Sequence, residues 1–192
     1  MRKLRTFIAV ELGSSVKGKA QQLLRKLQGT GVEANWVPLQ QMHLTLKFLG
    51  EIPEHETVDV CRVVKSVAAE FEPFEITFRG AGAFPDVSKP KTLWIGLGDG
   101  LEELAELQDA LEDRLHKQLR FPRERRKFTP HLTLGRVKSL GPEPERVAQL
   151  LEEAADYDSD LSVVEELVTF ASFLDRSGPE YEAIAHAELG ED

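Results

Sequence analysis

At 192 residues the chain is long enough to bury one sizeable core without a metal or disulfide staple. Its single cysteine, Cys61, leaves no internal disulfide, no apolar run nears the roughly 20 residues of a membrane helix, and the short run 7–10 is cut by Glu11 before it reaches signal-peptide length. A net charge of −9 excludes a general nucleic-acid coat, because nonspecific affinity comes from Lys and Arg on phosphates; the expectation is a soluble, monomeric protein of a reducing compartment, by default the cytoplasm, with no partner protein and no membrane.

Residues 5–11 read as a strand from their β-branched and aromatic content. Ser14 or Ser15 can cap a helix whose apolar stripe is Val16, Ala20, Leu23, Leu24 and Leu27, and Gly29 and Gly31 end it. Residues 42–49 alternate as a strand punctuated by Gly50 and Pro53, and Val60, Val63, Val64, Val67, Ala68 and Phe71 then fall at helical spacing up to Pro73. Residues 74–79 read as a strand and 80–90 as an irregular Gly- and Pro-rich loop. The order then repeats. Residues 92–97 form a strand, and Asp99 can cap a helix carrying Leu101, Leu104, Leu107, Leu111 and Leu115. A basic loop leads into a strand over 131–137, and Gly141 and Pro142 precede a helix with Val147, Leu150, Leu151 and Ala154. Two strands close the chain, near 161–174 and 181–189, joined by a turn at Ser177, Gly178 and Pro179.

Each half is thus strand, helix, strand, helix, strand, and the central strand of each carries the tetrapeptide His-Leu-Thr-Leu. Sliding the chain by 88 positions, the interval from His43 to His131, also lays Phe7 on Ile95. The expected architecture is α+β: a single domain over 1–192 with approximate repeats 5–79 and 92–174. These form two pseudo-symmetric lobes, each a small antiparallel-type sheet backed by helices, with a cleft between them.

Residues two apart on a strand share a face, so His43 projects with Thr45 and His131 with Thr133, while the leucines turn back to the helices. From ordinary composition a given His is followed by Leu-Thr-Leu on the order of once in a thousand cases, so two occurrences among five histidines point to chemistry and not to chance. If the lobes meet about a twofold axis, both pairs face one cavity. Two imidazoles titrating near neutrality and two hydroxyls suit a phosphodiester: one imidazole takes a proton from attacking water, the other protonates the departing ribose oxygen, and the threonines hold the non-bridging oxygens. This scheme needs neither metal nor cofactor. No His-x-His or His-x-x-x-His occurs, and the acidic residues are not spaced as a cage. His55, His116 and His186 receive no role, and Gly96, Gly98 and Gly100 lack the downstream Lys-Ser/Thr of a phosphate-binding loop.

Charge is uneven along the chain. Lys117, Arg120, Arg123, Arg125, Arg126 and Lys127 crowd together just before His131, opposed only by Glu124. Such a run is ordinarily a solvated loop, and its place beside the second motif strengthens the alternative, a local attractor for a polyanion. At the fifth position after each motif histidine stand Phe48 and Arg136, an aromatic ring and a guanidinium plane that could sandwich a nucleobase. Strict alternation puts both on the face away from the histidines, so the sandwich needs a strand end, a bulge or strong twist; otherwise Phe48 packs in the core and Arg136 makes a surface ion pair.

The stretches 5–12 (RTFIAVEL), Trp36 and Val37 ahead of 43–51 (HLTLKFLGE), 92–97 (TLWIGL), 128–137 (FTPHLTLGRV) and 178–181 (GPEY) resemble the RNA 2′,3′-cyclic phosphodiesterase family. Its members are historically called 2′-5′ RNA ligases, within the two-histidine (2H) phosphoesterase superfamily. The resemblance implies hydrolysis of RNA 2′,3′-cyclic phosphate ends, or of small cyclic nucleotides, to 2′-phosphomonoesters. It also implies His43 as proton donor and His131 as proton acceptor. The residues alone leave that order open, because the two motifs are nearly equivalent. Open too are reverse 2′-5′ ligation, a phosphodiesterase for other cyclic or 2′,5′-linked nucleotides, and a non-catalytic module that binds RNA ends.

Overall fold

A computed structural model of the chain describes residues 2–175 and 178–191. Strand β1 (Lys3–Glu11) is buried along Thr6 to Val10 and leads through Gly13 into helix α1 (Ser14–Gln28), whose predicted stripe faces the core. Neither serine caps that helix. Gly13 is the cap, its backbone N–H donating to Ser162 Oγ at 2.9 Å, and the Ser15 hydroxyl donates instead to Asp160. The short strand β2 (Glu33–Trp36) alternates in burial over only four residues, too few to be read from the sequence. Strand β3 (His43–Pro53) runs through Gly50, which as a glycine accommodates a positive φ of 77°, and ends at Pro53. Helix α2 (Thr57–Ala68) buries Val60, Val63, Val64 and Val67, a contribution of about 1.5–3 kcal/mol each when such side chains are fully removed from water.

The expected strand over 74–79 divides into β4 (Phe74–Ile76) and β5 (Phe78–Phe84), so of the expected loop over 80–90 the Gly-rich part, 80–84, is strand, while 85–90 is irregular. Its glycines serve packing: a Cβ on Gly82 would lie 2.6 Å from the Trp94 ring. Strand β6 (Thr92–Leu97) leads to helix α3 (Leu101–Leu119), which is capped by Gly100 at φ 79°, while the Asp99 carboxylate accepts from Thr77 Oγ1 at 3.0 Å. Strand β7 (His131–Ser139) and helix α4 (Pro144–Glu153) follow, and the stretch 161–174 divides into β8 (Ser162–Val164) and β9 (Glu166–Asp175) before β10 (Gly178–Glu188). Of the turn expected between the last two strands, Ser177 lies outside the described residues. Among the described residues no helix is long and apolar enough to cross a membrane.

The architecture is α+β. One antiparallel sheet has the order β10-β9-β1-β3-β7-β6-β5, with β2 paired to β7 beside this path, and β4 and β8 form a separate ribbon. Its two lobes join at a single Cα pair, Leu44 with Leu132; beyond that point β3 and β7 separate, and β2 takes up the free edge of β7. Both junctions between the halves pair residues 88 positions apart, Leu44 with Leu132 and Glu75 with Val163, which marks a pseudo-twofold axis through each. The third long strand of each half crosses over: β5 pairs with β6, and β9 with β1. The main core lies on the helix side of the sheet, where Leu44, Leu46, Leu132 and Leu134 are all buried.

Candidate active site

His43 opens β3 and His131 opens β7, and each is followed by one residue of regular pleat that turns the next threonine to the same side. Both strands then bulge at equivalent places. In β3, Ala9 faces Thr45 and Ile8 faces Lys47, which makes Leu46 the extra residue; in β7, Trp94 faces Thr133 and Leu93 faces Gly135, which makes Leu134 the extra one. A bulge shifts the alternation by one. Phe48, opposite Phe7, and Arg136, opposite Thr92, therefore return to the histidine face, which strict alternation denied them. His43, Thr45, Phe48, His131, Thr133 and Arg136 all line one cleft of about 540 Å³ between the lobes. Phe48 is 60% exposed, so it is not a core residue.

The two imidazoles are held alike. His43 Nδ1 lies 2.7 Å from the Gln41 carbonyl and His131 Nδ1 lies 2.8 Å from the Thr129 carbonyl, and these acceptors are again 88 positions apart. A carbonyl can only accept, so in the neutral ring Nδ1 carries the proton and Nε2 keeps a lone pair for the cleft. Burial pushes both imidazoles below their ordinary value; the carbonyl bonds oppose the shift, and the charges of Lys17 near His43 and Arg136 near His131 add to it.

The rings differ in their aromatic surroundings. Phe7 stacks on His43 at 4.9 Å between centroids, Tyr181 meets its edge at 5.3 Å, and Phe170 lies behind Phe7 at 5.2 Å. His131 meets the edge of Phe84 at 5.0 Å, and Phe84 in turn packs on Trp94 at 5.1 Å. Burial pushes the Tyr181 phenol up, so it faces the cleft as a protonated donor. Sequence reasoning gave Phe84, Trp94 and Tyr181 no role. Each sits on a strand remote in sequence from its histidine, and only strand pairing brings them together.

Of the basic run, Arg126 and Lys127 line the cleft. Lys117 is bound to Asp113 at 2.7 Å, and Arg123 pairs with Asp109 and Asp113. His55, His116 and His186 do not line the cleft: His116 Nδ1 donates to the Phe121 carbonyl and His186 pairs with Glu166. Among the described residues no three His, Cys, Asp or Glu side chains gather into a group that could hold a metal ion.

A family model described as the 2′-5′ RNA ligase superfamily matches residues 17–172. A protein of Archaeoglobus fulgidus called RNA 2′,3′-cyclic phosphodiesterase is 35% identical over 179 residues, covering 93% of this chain and 96% of the relative. One of the same name from Thermotoga maritima is 32% identical, covering 97% and 96%. The crystal structure of TT0787 from Thermus thermophilus superposes with a TM-score of 0.82 at 27% identity, over 97% of this chain and 98% of that one.

Proposed function

The chain belongs to the 2′-5′ RNA ligase superfamily as an enzyme of the RNA 2′,3′-cyclic phosphodiesterase kind, and we propose that it opens RNA 2′,3′-cyclic phosphate ends to 2′-phosphomonoesters by acid–base catalysis with His43 and His131, without a metal or other cofactor. Water attacks phosphorus while His131 Nε2 takes its proton; the bond from phosphorus to O3′ breaks while His43 Nε2 gives its proton to that oxygen. One water is consumed, and the two rings exchange protons with solvent to reset. The hydroxyls of Thr45 and Thr133 donate to the non-bridging oxygens as charge builds on them. The plane of Arg136 and the ring of Phe48 enclose the terminal base.

The single observation that supports this reading is the equivalence of the two motifs in one cleft: each imidazole anchored at Nδ1 on a carbonyl, each with a hydroxyl two residues on. A module that merely held RNA ends would need hydrogen-bond donors, but not two rings each presenting a free basic nitrogen. The test is incubation of a short RNA ending in a 2′,3′-cyclic phosphate with the protein in EDTA, followed by product identification. Turnover to the 2′-phosphomonoester is expected. Loss of most turnover that a divalent cation restores would overturn the metal-independent mechanism, and binding without turnover would favour the end-binding module.

A further inference from the structure

A buried lysine in the wall of the cleft takes no part in the chemistry above. Lys47 is 7% and Glu112 4% exposed. Lys47 Nζ reaches Glu112 Oε1 at 2.8 Å and Oε2 at 2.9 Å and donates its third hydrogen to the Pro122 carbonyl at 2.8 Å. Glu112 is equally complete, accepting also from Gln108 Nε2 at 3.3 Å and from the Glu124 backbone N–H at 3.1 Å. A buried ion pair must be desolvated at both ends and is weak evidence for stability. What this pair does is tie three elements together: β3, α3 and residues 120–130.

The pseudo-symmetry says why such a tie stands there. Positions 33–36 of β2 correspond to 121–124 of the basic loop, and Gly135 corresponds to Lys47. In one lobe β2 is hydrogen-bonded to β7, and Gly135 leaves room for Trp36, whose ring atom would lie 2.8 Å from an added Cβ. In the other lobe Pro122 has no N–H to give to a strand ladder. The ion pair holds the segment through Pro122 O and Glu124 N instead. The loop is therefore docked where β2 would be, without being a strand, and it carries Arg126 and Lys127 to the cleft. Among the described residues neither is in a salt bridge, while Lys117 and Arg123 before them both are.

We propose that the Lys47–Glu112 pair is a positioning device that holds residues 120–130 so that Arg126 and Lys127 form a second phosphate subsite, taking the phosphodiester on the 5′ side of the terminal nucleotide. This rests on the reaction assigned above, in which the cyclic phosphate is the 3′ end of a chain whose next phosphate lies on the 5′ side. The consequence is preference for oligoribonucleotides over mononucleotides.

The experiment is equilibrium binding of a 3′-phosphorylated ribotrinucleotide and of the matching nucleoside 3′-monophosphate, both inert to the reaction, at several salt concentrations. The wild-type chain should bind the trinucleotide at least about tenfold more tightly at low salt, with a log K against log salt slope steeper by about 0.7 for the one of its two added phosphodiesters that the subsite takes. In Lys47→Met/Glu112→Leu, an apolar replacement of the kind that commonly preserves folding, the ratio should fall to about threefold or less. Arg126→Ala/Lys127→Ala, at exposed positions, should give the same fall, and the four substitutions together should lower it no further. A full ratio in the folded Lys47→Met/Glu112→Leu protein would overturn the positioning role, and no ratio in the wild type would overturn the subsite. A wild type that shows the ratio yet fails to open cyclic ends would sink the reaction and support the subsite; turnover without the ratio does the reverse.

Discussion

An imidazole whose Nδ1 is engaged by a backbone carbonyl has one nitrogen left for chemistry, and His43 and His131 share that constraint through Gln41 and Thr129. Burial pushes both below the ordinary imidazole value of about 6.5, by destabilising the charged ring. The sign for activity follows. The limb on which kcat/KM rises reports loss of a proton from the base, and the limb on which it falls reports loss from the acid. With both groups shifted down, the bell should lie with both limbs below about pH 6.5, and activity should already be declining through neutrality. A pH profile with its maximum at or above pH 7 would contradict this. At the residue scale the motif pairs were legible because a strand has a period of two and the tetrapeptide occurs twice. Phe48 and Arg136 were legible only as candidates, since the bulges at Leu46 and Leu134 that return them to the cleft leave no mark in composition. Lys47 and Glu112 are 65 positions apart, and nothing local to either announces the other.

Elements were readable where their apolar period was regular, as in α1, α2 and α3, and unreadable where another residue's bulk decided the backbone. Strand β5 is the clearest case: Gly80 and Gly82 read as loop signals, yet Gly82 is where the Trp94 indole crosses the strand, and β2, at four residues, is too short to show. Two identical substitutions should therefore have opposite signs. In Gly82→Ala the new Cβ would stand 2.6 Å from the Trp94 ring and displace it or β5, a loss of about 1–3 kcal/mol by overpacking. In Gly18→Ala, inside α1 with nothing within 4 Å of the added atom, the gain should be about 0.5–1 kcal/mol from helix propensity. Urea unfolding of the two variants checks this, and a Gly82→Ala protein as stable as wild type would show that the ring does not require the glycine.

At the scale of the whole molecule, the repeat in sequence became a twofold in space through Leu44 with Leu132 and Glu75 with Val163, with β5 and β9 exchanged between the lobes. That exchange has no sequence signal, because pairing partners are chosen by register and not by composition. Its result is that neither half completes its own sheet and that each lobe brings one histidine to a shared cleft. If the lobes supply an acid and a base to one phosphorus, the two histidines become separable by leaving group. On a natural ribose ester, His43→Ala and His131→Ala should each lose on the order of 10²- to 10⁴-fold in rate. A nitrophenyl phosphodiester that fits the cleft needs little protonation as its bond breaks, so the acid becomes dispensable and the base does not. The decisive measurement is kcat/KM of both variants on this activated substrate. His43→Ala should regain most of its lost rate while His131→Ala stays impaired; the opposite pattern would exchange the two roles, and equal recovery or equal failure would contradict a divided acid and base.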